Sequence, residues 1–345
     1  MPKILAAMSG GVDSTVAAAI LKEEYGTVEG AYLILHDGYE EDAQRAKKAA
    51  QQLSIPLHLI DGRDYFRHTV IEDFITNYEE GKTPNPCVFC NRNCKFALLL
   101  GWAVEHGFDR VATGHYAARV ILENGRYAIR RGRDRSKDQS YMLYQLTQEQ
   151  LSKILFPLGE LMKTEVREIA EDLGLENAQQ KDSQDICFIP DGDYAAFLEK
   201  EGIRDPKNDT PGNFVDKKGN VLGQHKGLIH YTIGQRKGLG LSLPAPLYVC
   251  EKRREANEVV LCSNEELFRT QVLAGQVHLM ALDSLSSPVR VTAKIRYSQS
   301  ETAGSALLVD EKLIVLFDEG VRAPAPGQSL VLYDGEVVLG GGIIL

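Results

Sequence analysis

Cysteines set two residues apart, a third far along the chain, and a serine–glycine turn are the parts of this sequence that could do chemistry. Cys87 and Cys90 lie in TPNPCVFCNRNCKF, residues 83–96, and Cys187 lies in KDSQDICFIP, residues 181–190. A thiolate is both a nucleophile and a metal ligand. Three chemistries fit the spacing. Cys87, Cys90, Cys94 and Cys187 would make a zinc site. Cys90 and Cys187 would make a reactive pair that passes sulfur as a persulfide and closes as a disulfide. Cys87, Cys90 and Cys187 would hold three irons of a [4Fe–4S] cluster, leaving the fourth iron to carry sulfide. Pro84 and Pro86 are expected to hold the chain extended and to delay the next helix to Asn91 or Asn93. Cys90 would then sit near the positive end of that helix, with Arg92 and Lys95 also lowering its pKa below the usual value of about 8.5. Cys94 reads as an incidental helix residue, and Cys250 and Cys262 as core residues of strands.

The second constellation is SGGVDS, Ser9 to Ser14. It follows the apolar run Lys3–Met8 and precedes a stretch with helical spacing, which reads as strand, tight turn and helix. Gly10 and Gly11 allow close backbone approach to a ligand, and N–H groups above a helix N-terminus suit an anion such as pyrophosphate. Ser9 and Ser14 add hydroxyl donors. Asp13 is placed to cap the helix or to reach a magnesium ion on the phosphates. A plain glycine turn with Asp13 or Ser14 as N-cap is the bland alternative. The string lacks the lysine of a Walker A loop and the third glycine of a dinucleotide fingerprint. It resembles the PP-loop of enzymes that split ATP between its α and β phosphates and release pyrophosphate.

These residues need elements to hold them. Strand-like runs at Thr27–Leu35, Ile55–Ile60 and Phe108–Thr113 alternate with helical patterns at Glu40–Leu53, Asp64–Tyr78 and Asn91–His106. Two more helices are expected at Gln148–Leu155 and Thr164–Leu173. Such alternation predicts an α/β fold, a parallel sheet with helices on both faces. Ligands bind such sheets at the carboxyl ends of the strands. SGGVDS, the loop before Asn91, and Gly114–His115 all fall at such ends. Beyond the Pro-, Asp- and Asn-rich stretch 205–212 the pattern turns to short β runs separated by turns such as Lys218-Gly219-Asn220 and Asp334-Gly335. Two small β-barrel domains are expected there. The divisions are 1–204, 205–268 and 269–345.

The 345 residues suit two or three domains, and 43% hydrophobic with 25% charged residues is an ordinary globular balance. No apolar run approaches a membrane span. The apolar start, Met1–Met8, runs straight into SGGVDS and is expected to be a first strand rather than a signal peptide. A cytoplasmic protein with free or ligating thiols is expected. The net charge of −9 argues against indiscriminate nucleic-acid binding. One basic run stands out: Arg126, Arg130, Arg131, Arg133, Arg135 and Lys137 against Asp134 alone. It reads either as a solvated hairpin or as a surface for phosphates, with Tyr141 and Tyr144 beside it to pack or stack. Arg236–Lys237 and Lys252–Arg254 are smaller basic groups.

Taken with ATGHY, KDQSYMLY, GQRKGLG and the terminal GGGIIL, these motifs resemble one family from end to end: the tRNA-specific 2-thiouridylases of the bacterial MnmA type. The resemblance implies a PP-loop, adenine nucleotide alpha hydrolase-like first domain. It implies that ATP, with Mg2+, adenylates the 2-carbonyl oxygen of the wobble uracil (position 34) of tRNA, and that sulfur then displaces AMP. Ala7, Met8, Ser9, Gly10, Gly11, Val12, Asp13, Ser14, Leu33 and Gly114 would bind ATP. Asp13 would assist, Cys90 would be the nucleophile, and Cys187 the persulfide carrier, with Asp182 supporting it. Asn85, Pro86 and Cys87 would touch the target base. His115, Lys137, Asp138, Gln139, Arg296, Tyr297 and Gln328 would meet the tRNA. The expected substrates are tRNAs for Lys, Glu and Gln, and the expected sulfur donor is a cysteine desulfurase or a sulfur-relay protein; no membrane partner is expected. Many members of the family carry Asp where this chain has Cys87. The CxxC instead resembles the subset proposed to hold an iron–sulfur cluster, so persulfide and cluster both stay open. Two rivals remain: a small-molecule PP-loop ligase, and a non-catalytic metal- or RNA-binding protein with a vestigial nucleotide loop. Pyrophosphate release that requires RNA separates the thiouridylase from both.

Overall fold

The alternation of apolar runs and amphipathic helices builds a five-stranded sheet. Its strands are β1 (Ile4–Ala7), β2 (Val28–Ile34), β3 (Leu57–Asp61), β4 (Arg110–Ala112) and the two-residue β7 (Ile154–Leu155). They lie in the order β3-β2-β1-β4-β7, and every pairing is parallel. The computed structural model describes residues 1–175, 186–202, 210–242 and 245–345. Asp182 and the expected boundary at 204/205 lie outside the described residues.

Side chains of β1 alternate between two covered faces, as a central parallel strand requires. Ile4, Ala6 and Met8 pack with Ala18 and Leu21 of α1 (Val12–Tyr25) and with Ala49 and Ala50 of α2 (Glu40–Gln52). Leu5 points the other way, to Leu99 and Ala103 of α6 (Phe96–Glu105). The chain order reverses at β1, which pairs with β2 on one side and β4 on the other. The crevice at such a switch point is where an open α/β sheet binds its ligand.

The predicted helix over 64–78 is α3 (Arg63–Phe66), a π-helical turn (Arg67–Ile71) and α4 (Glu72–Glu79) in succession. The cysteine helix starts earlier than the prolines suggested. α5 (Pro86–Cys90) runs through a second π-helical turn (Asn91–Lys95) into α6. Pro86 is the first helical residue, where its missing N–H costs nothing and its fixed φ suits the helix. Asn85 is the N-cap, its side chain accepting from the Val88 N–H at 3.4 Å. The run 148–155 divides into α8 (Gln148–Lys153), with a capping box at Thr147, and the edge strand β7. α9 (Lys163–Asp172) closes the face that carries α1, and α10 (Tyr194–Glu201) follows the second cysteine segment.

The second half is β-structure, as its short runs predict. β8 (Gly212–Val215), β9 (Val221–His225), β10 (Tyr248–Arg253) and β11 (Glu258–Cys262) form a four-stranded sheet in the order β10-β11-β8-β9. Next come β12 (Phe268–Leu279), β13 (Val289–Lys294), β14 (Thr302–Val309), β15 (Lys312–Arg322), β16 (Ser329–Asp334) and β17 (Val337–Ile344). These six close into a barrel because β12 pairs with both β15 and β17. The glycines of β17 make the crowding tolerable. A Cβ on Gly341 would meet the Leu330 carbonyl oxygen at 2.3 Å and the Tyr144 ring at 3.0 Å. A hairpin from the first half, β5 (Ala117–Ile121) and β6 (Tyr127–Arg131), adds to the same sheet beside β17, with Val337 opposite Arg130.

Candidate active site

SGGVDS forms the elbow between β1 and α1. Gly11 is the N-cap, so neither Asp13 nor Ser14 caps the helix. Gly10 has φ +80, and a Cβ there would lie 2.7 Å from Arg45 Cβ and 2.8 Å from the Ala46 nitrogen of α2. Only glycine fits both the backbone and the space. The expected hydroxyl donors are turned inward. The Ser14 hydroxyl donates to the Gly11 carbonyl at 3.0 Å, and Ser14 Oγ accepts from the Ser9 N–H at 3.1 Å. They brace the turn. The anion-binding capacity of the elbow therefore rests on first-turn N–H groups, which have no acceptor within the helix. Gly114, at the end of β4, packs directly on this turn. A Cβ there would lie 2.9 Å from both the Asp13 carbonyl carbon and the Ser14 nitrogen. Ala7 and Leu33, at the ends of β1 and β2, are half-buried against the sheet core.

Asp13 is the junction of the elbow. Both its carboxylate oxygens take the ammonium of Lys163, at 2.7 and 2.8 Å, and Oδ1 also accepts from the Tyr116 hydroxyl at 2.7 Å. Lys163 opens α9 and is buried. Neither partner was legible from the elbow's sequence, because Lys163 lies 150 residues away.

The cysteine loop packs on the helix of residues 63–79. Cys90 and Cys94 are buried in a cluster with Phe66, Val70, Phe74 and Ile189, against which Ile186 and Phe188 also pack. The segment bearing Cys187 thus lies on the cluster that holds Cys90. Cys94 lies beside Cys90: the Cys94 thiol and the Lys95 ammonium favour the Cys90 thiolate against the opposing effect of burial, and the same interaction, with burial, raises Cys94. Burial raises Cys87, and burial with the charges of Cys90 and Cys87 raises Cys187 to about 12, although Cys187 is an exposed residue. The activation of Cys90 therefore comes from Cys94 and Lys95. Cys90 is the fifth residue of its helix, and the dipole effect fades within the first turn. Cys250 and Cys262 belong to β10 and β11, as expected of strand residues.

Lys95 links the thiols to the sheet. Its charge also acts on His115, which follows Gly114. Burial is the larger influence and lowers the His115 pKa to about 3, so the ring is neutral at physiological pH. His115 Nδ1 lies 2.7 Å from the Thr113 hydroxyl, and the Phe96 and Phe156 rings flank it at 6.0 and 6.1 Å. The Lys95 charge therefore acts on both Cys90 and His115, and Gly114, beside His115, packs on the Asp13 backbone.

The other expected contact residues divide. Gln139 exchanges two hydrogen bonds with the Tyr116 backbone, at 2.9 and 3.0 Å. Asp138 holds its own loop, accepting from the Gly132 and Ser140 N–H groups at 3.1 Å each. Lys137 lies in the same loop, its N–H donating to the Asp134 carbonyl at 3.1 Å. Tyr297 is exposed, donates to the Asp138 carbonyl at 3.2 Å, and lies beside the Lys294 ammonium. Arg296 donates to the carbonyls of Ile233 and Ala323, joining the central sheet to the barrel. Gln328 donates to the Thr83 carbonyl at 2.8 Å and anchors the start of the cysteine loop.

The basic run is not a bare cationic surface. Arg126 pairs with Asp283, Arg130 with Glu160, Arg131 with Glu301, Arg133 with Glu165 and Arg135 with Glu336. Arg131 also lies over the Tyr333 ring at 4.0 Å and is nearly buried. Tyr141 and Tyr144 are fully buried, so they pack rather than offer stacking surfaces.

Comparison with known proteins agrees with this architecture. The family described as "tRNA methyl transferase HUP domain" matches residues 2–191, "tRNA methyl transferase PRC-barrel domain" residues 200–263, and "Aminomethyltransferase beta-barrel domain" residues 269–344. The protein named tRNA-specific 2-thiouridylase MnmA of Clostridium beijerinckii is 44% identical over 99% of this chain and 98% of its own length. The protein of that name from Lachnoclostridium phytofermentans is 43% identical over the whole of both chains. A solved structure, the U34-tRNA thiolase NcsA from Methanococcus maripaludis with its [4Fe-4S] cluster, is 20% identical over 58% of this chain and 67% of its own, with a TM-score of 0.37. Identity at this level from one end of the chain to the other places the protein: it belongs to the family of tRNA-specific 2-thiouridylases of the MnmA type.

Proposed function

We propose that this enzyme activates the 2-carbonyl oxygen of the wobble uridine, position 34 of a tRNA, with ATP and replaces that oxygen with sulfur. The uracil oxygen attacks the α-phosphate of ATP held at residues 7–14, Leu33 and Gly114, and pyrophosphate leaves. The oxygen is then part of AMP, a far better leaving group than oxide. In the persulfide route, the outer sulfur on Cys187 attacks C2 of the base and AMP departs. The Cys90 thiolate then attacks the Cys187 sulfur, leaving the second sulfur on the base as 2-thiouridine and joining Cys90 to Cys187. A two-electron dithiol reductant restores both thiols. The observation that supports this reading is that the segment bearing Cys187 packs on the buried cluster that holds a thiolate-favouring Cys90.

A [4Fe–4S] cluster on Cys87, Cys90 and Cys187 would supply a sulfide-bearing iron in place of the persulfide. The residues as arranged do not fit it. Among the described residues no three Cys, His, Asp or Glu side chains are grouped as a metal site would need. The persulfide route is therefore the one adopted, and iron content of protein purified without oxygen checks it: a brown, iron-bearing and active sample would reverse the choice. The Mg2+ expected with ATP arrives as part of the substrate. Both Asp13 oxygens already hold Lys163, so no step is assigned to the metal.

Asn85, Pro86 and Cys87 are assigned to the target base, and His115, Lys137, Asp138, Gln139, Arg296, Tyr297 and Gln328 to the RNA. The proposed substrates are tRNAs for Lys, Glu and Gln, with sulfur from a cysteine desulfurase or relay protein in the cytoplasm. Among the described residues no helix is long and apolar enough to cross a membrane. The test is pyrophosphate release and 2-thiouridine formation with unmodified tRNA. Cys90→Ser is expected to retain RNA-dependent pyrophosphate release and to lose thiolation. Release without RNA would favour a small-molecule ligase.

A further inference from the structure

Two separate hydrogen-bonded arms run from the loop of residues 132–139 to a single carboxylate of the nucleotide elbow. In the first, buried Asp134 accepts from the backbone N–H of Lys163 at 3.0 Å, and the Lys163 ammonium grips both oxygens of Asp13. In the second, Gln139 and the Tyr116 backbone exchange two hydrogen bonds, and the Tyr116 hydroxyl donates to Asp13. The loop between the arms is braced internally. Asp134 Oδ1 accepts from the Ser136 N–H at 3.0 Å and from its hydroxyl at 2.7 Å. Asp138 accepts from Gly132 and from Ser140. Gly132 lies so close to Tyr116 that a Cβ would stand 2.8 Å from the Tyr116 carbonyl oxygen. The loop therefore cannot shift without moving Tyr116 or the start of α9, and both hold Asp13.

We propose that Asp13 is the point through which RNA seated on residues 137–139 acts on the nucleotide elbow, with Asp134, Lys163 and Tyr116 as positioning residues. This rests on the assignment of residues 137–139 to the tRNA. RNA held on the loop fixes both arms, which fixes the orientation of the carboxylate and of the first turn of α1 beside it. The nucleotide then meets an elbow already ordered for it. Without RNA, part of its binding free energy goes into that ordering. Because linkage is reciprocal, the nucleotide tightens RNA binding by the same factor. The device ties activation chemistry to the presence of the acceptor base.

The experiment is titration of α,β-methylene-ATP by calorimetry, with and without saturating unmodified tRNA transcript. In the unaltered enzyme the transcript is expected to tighten analogue binding about tenfold, within the usual span of roughly 5 to 150-fold for coupled sites. Asp134→Asn touches neither ligand. It is expected to cut that ratio to about twofold or less, while each ligand alone binds within about threefold of the unaltered enzyme. Tyr116→Phe removes one hydroxyl and keeps the packed ring, so it serves as the second reading if Asp134→Asn melts early. A ratio near one in the unaltered enzyme overturns the inference, as does a full ratio in a folded variant. Thiolation with no coupling would defeat this inference alone, whereas failure to bind or thiolate tRNA at all would defeat the functional reading beneath it.

Discussion

Cys90, the proposed nucleophile, is favoured as thiolate by two neighbours, Cys94 and Lys95. Cys94 stands one helical turn beyond Cys90, where side chains four apart meet. Its thiol favours the charged form of Cys90. Removing it is expected to raise the Cys90 pKa and deplete thiolate at neutral pH. Cys94→Ala is therefore expected to slow alkylation of Cys90 by iodoacetamide at pH 7 by about fivefold or more, as a smaller thiolate fraction requires. Peptide mass spectrometry over a pH series would read it. An unchanged rate profile would assign the activation to Lys95 alone. The strand, turn and helix around SGGVDS were legible because that pattern is local. Lys163 and Tyr116 were not, since nothing near Asp13 in the sequence marks its partners.

At the scale of elements, the elbow depends on the end of a different strand. Gly114 leaves room for the first turn of α1, and any Cβ there would press on the backbone of Asp13 and Ser14 at 2.9 Å. Backbone on both sides gives no flexible side chain to yield. Gly114→Ala is expected to weaken nucleotide binding at least about tenfold, equivalent to roughly 1.4 kcal/mol, with cooperative melting retained. Fluorescent ATP-analogue titration beside a thermal melt checks both halves. Strand and helix alternation through residue 113 was readable because the apolar periods are clean. The start of α5 was misread for a definite reason. Proline forbids a helix interior but suits its first position, and Asn85 supplied the cap that decided between them. The shared sheet of β5, β6 and β17 carries no local signal at all, being a pairing between residues some two hundred positions apart.

For the molecule as a whole, the arginine run that reads as an RNA surface works largely as a seam. Arg131 of β6 spans to Glu301 at the rim of the barrel and lies on Tyr333 of β16. Its carboxylate partner is in turn held by Thr292 at 2.5 Å. Charge reversal there sets two carboxylates side by side, one on a nearly buried stem and the other a third exposed. Arg131→Glu is expected to cost about 1 to 3 kcal/mol, more than an exposed pair and less than a fully buried one. Denaturant unfolding would show it, and both ATP and tRNA binding would fall with the fold. Selective loss of tRNA binding alone would restore the reading as a phosphate contact. The division into an α/β half and a β half was legible from composition. How the halves lock was not, because each acid in the seam lies far from its arginine in sequence. The hairpin of residues 117–131 also bears on biosynthesis. As the chain emerges from the ribosome, β6 has no neighbour on its outer edge until residue 337 and those beyond it have been made. An unfilled strand edge is a template for joining other chains. The nascent protein thus carries an open border for most of its synthesis, and a chain cut short before its final strand would be a candidate for aggregation or chaperone capture.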